Sequence, residues 1–123
     1  MIHINKVKGT NLEITKDMSD YLEKKIQMLD KFVDPDDSGA SIDVEIEKTT
    51  NHHQKGDVYR AEFNFVMRGK GFRSESTVED IYTAIDEAKD DLAREITEYQ
   101  NKSRGKKRKE GAFLKRLMRG FRK

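Results

Sequence analysis

Residues 58–77 read VYRAEFNFVMRGKGFRSEST, and the fold is decided by how this run alternates. Tyr59, Ala61, Phe63, Phe65 and Met67 fall on one side of an extended chain, and Arg60, Glu62, Asn64 and Arg68 on the other. That is the two-residue period of a half-buried strand. Gly69-Lys70-Gly71 supplies a tight turn, after which Phe72, Ser74 and Ser76 share one face and Arg73 and Glu75 the opposite one. A hairpin with one apolar and one charged face needs another layer of structure on its apolar side.

The flanking segments supply it. Ile42, Val44 and Ile46 alternate with Asp43, Glu45 and Glu47, a third strand of the same character that presents its carboxylates to water. It joins the hairpin through a polar connection, KTTNHHQKGD. Near the start, Ile2, Ile4 and, less regularly, Val7 mark a strand ending at Lys8-Gly9. Between these strands, Thr15 can cap a helix with Asp17 in its first turn. Met18, Tyr21, Leu22, Ile26, Leu29, Phe32 and Val33 form its apolar stripe. The stretch VDPDDSG, with the chain's one proline at Pro35, is a loop. Thr77-Val78-Glu79-Asp80 fits a capping box and opens a second helix with the stripe Ile81, Ile85, Ala88, Leu92, Ile96 and Tyr99. The order β-α-β-β-β-α predicts an α+β two-layer sandwich, a four-stranded sheet with two helices on one face. Its first two strands are parallel neighbours and the rest an antiparallel meander.

Composition narrows the function classes. The 123 residues are 34% hydrophobic and 39% charged. That suits one domain of about 100 residues. Cysteine is absent, so disulfides, thiol nucleophiles and thiolate metal sites are excluded. Neither a signal peptide nor a run long enough to span a bilayer is expected. The net charge of +2 conceals two opposed parts. Residues 102–123 hold 11 basic residues and one acidic, a net of +10, against 14 basic and 22 acidic in residues 1–101, a net of −8. The expected division is therefore a folded domain over 1–101 and a basic segment over 102–123, disordered in water on its own. Such a segment seeks a polyanion, nucleic acid or an anionic membrane face.

No catalytic, metal or cofactor constellation emerges. His3, His52 and His53 lack ligand spacing, since adjacent imidazoles cannot share one face of a regular element. The carboxylates of Asp43, Glu45 and Glu47 stand on an open strand face where nothing apolar would raise a pKa for acid catalysis. With no phosphate-binding loop or nucleophile elbow either, an enzyme is not expected. Lys25 intrudes on the apolar stripe of the first helix, so its stem either lies along the core edge with the ammonium in water or serves a partner. Lys89 flanks the second stripe. Arg94 sits opposite it, within reach of Asp90 or Glu98 one helical turn away. In AFLKRLMRGFRK, Phe113, Leu114, Leu117, Met118 and Phe121 share one helical face, which allows a membrane surface or an RNA groove as partner.

EDIYTAIDEAKDDLAREI, together with LEITKDMSDYLEKKIQMLDKF and KGDVYRAEFNF, closely resembles the family of ribosome hibernation-promoting factors, or ribosome-associated translation inhibitors, over roughly residues 2–102. The resemblance implies a cytoplasmic, non-enzymatic protein, monomeric off the ribosome, that needs no cofactor. It would bind the small ribosomal subunit in the channel for messenger and transfer RNA and inhibit translation in idle or stressed cells. Longer members carry a further C-terminal domain, for which the residues after Asn101 are too few, so a short form is implied. Lys25, Arg94 and Lys102 match family basic positions; Asp80, Tyr82 and Asp86 match its second-helix signature, for capping and packing. Met28, Asp91, Glu95 and Glu98 depart from it, thinning the usual basic helix face. The residues expected to meet ribosomal RNA are Lys24, Lys25, Lys89, Arg94, Lys102, Arg104, Lys106, Lys107, Arg108 and Lys109, with no role for DNA. The competing expectation is a membrane-surface or general RNA-binding protein acting through the basic amphipathic segment.

Overall fold

In the computed structural model residues 2–50 and 56–120 are described, without the side chains of Thr50 and 106–120. Strands β1 (His3–Thr10), β2 (Ser41–Thr50), β3 (Asp57–Met67) and β4 (Lys70–Val78) form one sheet in that order. Strands β1 and β2 are parallel, and the other two pairings are antiparallel. Helices α1 (Lys16–Gln27) and α2 (Ile81–Gly120) cover one sheet face. The expected two-layer α+β sandwich is what forms. His52 and His53 lie outside the described residues.

The core sits where the alternation places it. Ile42, Val44, Ile46, Ala61, Phe63, Phe65 and Met67 from the sheet meet Met18, Leu22 and Ile26 of α1 and Ile85, Ala88, Leu92 and Ile96 of α2, all buried. The irregular spacing of Val7 has a local cause. The register shifts between Ile4 and Lys6, so Asn5 is an extra residue and Val7 pairs with Val44 three positions after Ile4, not two. The Asn5 amide donates to Asp43 at 2.9 Å. At Gly9, a Cβ would come within 2.6 Å of the Leu12 carbonyl oxygen, so the chain can turn into the α1 approach there only with glycine.

Several boundaries differ from the sequence reading. The hairpin turn is Arg68-Gly69, not 69–71: Met67 pairs with Lys70, and both turn residues have positive φ, 51° and 74°. That is the conformation of a two-residue hairpin whose twist matches its strands. An arginine is unusual there, and its neighbours hold it. Its backbone N–H donates to Asp37 Oδ2 at 2.9 Å and its guanidinium pairs with Asp34. Strand β4 runs through Thr77 and Val78, so the cap of α2 is Asp80, whose carboxylate accepts the Thr83 N–H at 2.9 Å. Thr15 caps α1 as expected, accepting the Met18 N–H at 3.2 Å. However, α1 ends at Gln27, and a 3-10 turn at Asp30–Phe32 carries the stripe onward. Asp30 anchors that turn by accepting the Ile2 N–H at 2.9 Å.

Helix α2 does not stop near Asn101; its backbone continues to Gly120. Residues 102–119 hold five lysines, four arginines and two leucines, all good helix formers, which offset Gly105 and Gly111. The packed first half of α2 serves as a ready nucleus, which removes the cost that keeps a short isolated helix from forming. The side chains of Lys106, Lys107, Arg108 and Lys109, and the expected apolar face from Phe113 to Phe121, lie outside what is described.

Candidate functional site

The two faces of the sandwich differ in what their charges do. On the open sheet face Arg60 lies beneath four carboxylates. Its Nε donates to Glu47 at 2.9 Å and Nη1 to Glu75 at 3.3 Å, with further bonds to Glu45 and Glu62. Glu62 also accepts from Arg73 at 3.1 Å and Asn64 at 2.9 Å. The bonds from Arg73, Asn64 and Arg60 hold its carboxyl down at about 2, against an ordinary 4.5. Of the carboxylates read as facing water, Glu45 and Glu47 are therefore drawn, with Glu62 and Glu75, to one guanidinium, while Asp43 accepts from Asn5. The lowered pKa of Glu62 is the reverse of what a proton donor at neutral pH needs.

The helix face carries the expected cations, and the fold separates them. Lys25 and Lys89 come together in the groove between α1 and α2, on either side of Asp86. The Lys25 ammonium is 3.1 Å from Asp86 Oδ1 and 5.1 Å above the Tyr21 ring. The ammonium is thus held within the fold, with 19% of the side chain exposed. Tyr21 donates its hydroxyl to the same carboxylate at 2.5 Å, and Tyr82 meets Tyr21 edge-on with centroids 4.9 Å apart. Desolvation pulls the Asp86 carboxyl up, but the bonds from Tyr21 and Lys25 and the charges of Lys25 and Lys89 outweigh it and leave its pKa lowered. The Asp86 hydrogen bond raises the pKa of Lys25, so that cation stays charged at any physiological pH. Lys89 pairs with Asp90 at 2.7 Å. Lys24, one residue along α1, is exposed and has no ion pair among the described residues.

Arg94 lies elsewhere, on the outer surface of α2. It pairs back to Asp91 three residues away, not with Asp90 or Glu98. Glu87, Asp90 and Asp91 line the same shallow cleft. Lys102 and Arg104 are on the distal half of α2, against the tip of the β3–β4 hairpin. There they join residues that periodicity alone does not single out: Arg68, Lys70 and Tyr99. Strand alternation assigns Arg68 to an outer face and helical spacing assigns Tyr99 to the core stripe. In the fold Tyr99 remains 43% exposed because the stripe outruns the sheet at this point.

Among the described residues, no group of three His, Asp or Glu side chains is placed to hold a metal ion, and no helix is long and apolar enough to cross a membrane. What the site offers is a set of cations on helices and a hairpin tip, with the acidic hub directed away from them on the sheet's other face.

Comparison with known proteins matches residues 5–104 to the family model described as sigma 54 modulation protein / S30EA ribosomal protein. The chain is 29% identical over 110 residues to the ribosome hibernation promotion factor of Deinococcus radiodurans, covering 89% of this chain and 55% of that one. It is 30% identical over 96 residues to the ribosome hibernation promoting factor of Klebsiella oxytoca, covering 78% and 92%. Among solved structures, the N-terminal domain of Thermus thermophilus Protein Y superposes with a TM-score of 0.61 at 30% identity, covering 79% of this chain and 98% of that domain. The chain spans about half the length of several curated relatives that it matches, including those of D. radiodurans and Bacillus subtilis.

Proposed function

Because the chain belongs to the sigma 54 modulation protein / S30EA ribosomal protein family, we propose that it is a cytoplasmic ribosome hibernation factor. In this reading it occupies the messenger and transfer RNA channel of the small subunit and so blocks translation. The observation that carries this is where cations gather: Lys102 and Arg104 stand on distal α2 at the hairpin tip, α2 continues from there into the basic residues 106–109, and Lys24 is exposed on α1. Cations collected at one end give RNA phosphates a seat on a domain that is acidic overall. The work is steric: a rigid sandwich fills a cleft and its cations hold phosphates, with no bond made or broken.

The basic segment supplies the attraction that the acidic domain lacks. Helix α2 runs on through residues 102–120. At the rise of an α-helix this extension is about 28 Å long. Lys106, Lys107, Arg108 and Lys109 are carried on it, so the two parts of the chain act as wedge and tether. If about six phosphates are neutralised, affinity falls on the order of a thousandfold between about 50 and 200 mM salt. Sedimentation with purified small subunits at those salts tests this. The protein should pellet with subunits at low salt and silence translation in a cell-free system, and a chain truncated after Lys102 should show a flatter salt dependence. Absence of co-sedimentation at low salt, or binding that leaves translation untouched, overturns the reading. Flotation on anionic vesicles with no pelleting on subunits would favour the membrane-surface alternative.

A further inference from the structure

The hairpin tip and distal α2 make a surface that phosphate attraction alone does not explain. Tyr99, the half-exposed end of the α2 core stripe, meets the buried Phe72 of β4 at 77° with centroids 5.5 Å apart. That edge-to-face contact fixes the tilt of the Tyr99 ring. The Lys70 ammonium stands 5.5 Å from the Tyr99 centroid and 6.0 Å from that of Phe72. Both distances are within the range of cation–π attraction. Tyr99 also divides two shallow clefts. One, of about 280 Å³, contains Lys70, Phe72 and Lys102; the other, of about 390 Å³, contains Arg104 and the Arg68–Asp34 pair. Among the described residues Lys70, Lys102 and Arg104 form no ion pair, whereas Arg60 and Arg73 of the sheet face and Lys89 and Arg94 of mid-α2 are taken up by carboxylates.

We infer that Tyr99 is a stacking platform for one base of a single-stranded RNA, with Lys70 and Lys102 on one side and Arg104 on the other receiving the flanking phosphates. The ligand class follows from the combination. An exposed ring with cations on both sides suits a base and the phosphates before and after it, the pairing by which single strands are held without sequence preference. Duplex RNA hides its base faces and offers phosphates, 2′-hydroxyls and base edges, none of which stacks on a ring. Glu95 and Glu98 share the Lys102 cleft, so local charge is close to balanced and the ring must contribute a substantial part of the binding. A lipid headgroup would use the cations but leave the upright ring without a partner. This inference rests on the RNA-binding reading above and names the contact that the hairpin end would make.

The test uses the full chain and three labelled probes of equal length in fluorescence anisotropy: oligouridine, an abasic ribose-phosphate oligomer, and an RNA duplex. The wild type should bind oligouridine on the order of tenfold more tightly than the abasic oligomer, and the duplex no better than the abasic oligomer. Tyr99→Ala should erase the base preference and Tyr99→Phe keep it. Because loss of the Tyr99 ring could loosen Phe72, Lys70→Gln at the exposed tip is measured alongside; it should weaken both single-stranded probes by a similar small factor. Equal binding of oligouridine and abasic oligomer by the wild type, or an undiminished preference in Tyr99→Ala, overturns the platform. Small-subunit pelleting, run in parallel, separates the two readings. Pelleting without base preference sinks the platform and leaves hibernation standing, and base preference without pelleting does the reverse.

Discussion

Replacing Arg60 by methionine keeps an aliphatic stem of similar length and removes one charge from among four carboxylates. In the native protein Glu45, Glu47, Glu62 and Glu75 all bond to this guanidinium, which retains 21% exposure. Breaking a buried ion pair by deleting one partner costs about 3–5 kcal/mol. Partial exposure places Arg60 below that range, so about 2–3 kcal/mol at neutral pH is expected, a fall in Tm of roughly 10–20 °C for a domain of this size. The pH dependence identifies the cause. In the wild type Glu62 titrates at about 2, below its ordinary 4.5. Its contribution is therefore fully present above its ordinary value and is lost as pH falls toward the lowered one. Without Arg60 the crowded carboxylates take up protons at higher pH, which relieves their repulsion. The gap between the two stability curves should narrow as pH falls below about 4.5 toward about 2, so it is smaller at pH 3 than at pH 7. Thermal unfolding followed by circular dichroism at pH 7, 5 and 3 gives the answer, and small-subunit pelleting at pH 7 should be unchanged because the hub faces away from the helices. An equal loss of stability at pH 7 and pH 3 would show that packing, not charge, is what Arg60 provides.

Four further outcomes follow from the geometry. Lys25→Glu sets a second carboxylate against Asp86 in the interhelical groove and should weaken subunit binding on the order of tenfold in a pelleting titration. Arg94→Glu, in an already acidic cleft, should change it less than twofold, and equal effects would contradict the placement of these residues on separate surfaces. Gly9→Ala drives a methyl group into the Leu12 carbonyl and should cost about 1–3 kcal/mol in denaturant unfolding, whereas an alanine tolerated without loss would mean that this backbone shifts freely. Asp80→Ala removes the α2 cap and should cost about 1 kcal/mol by the same assay, with Asp80→Asn recovering most of it; no loss in the alanine variant would mean that the Thr83 N–H has another partner.

The architecture was legible because it depends on short-range periodicity. Alternation in residues 58–77 and stripes at three- and four-residue steps assign each side chain to a face, and only one layering buries all the apolar faces at once. Boundaries were less legible where two local signals compete. Thr77-Val78-Glu79-Asp80 can cap a helix by pattern, yet pairing of Val78 with Tyr59 keeps it in the sheet and hands the cap to Asp80. Gly69-Lys70-Gly71 resembles a turn, yet the register that buries both Met67 and Phe72 places the turn at Arg68-Gly69, where the 34–37 loop stabilises the arginine.

The amino-acid order by itself determined the strand and helix faces, the sandwich they build, and the opposition between an acidic domain and a basic segment, since each is a property of neighbours along the chain. Tertiary structure alone decided which charges remain available. Arg60, Arg94 and Lys25 are alike as cations in the sequence, but one is enclosed by carboxylates, one is tied to Asp91, and one is held between two helices by Asp86 and Tyr21. It also brought Lys70 of a hairpin to Tyr99 of a helix nearly thirty positions away. Electrostatic and stacking energies depend on distances through space, and only packing sets those.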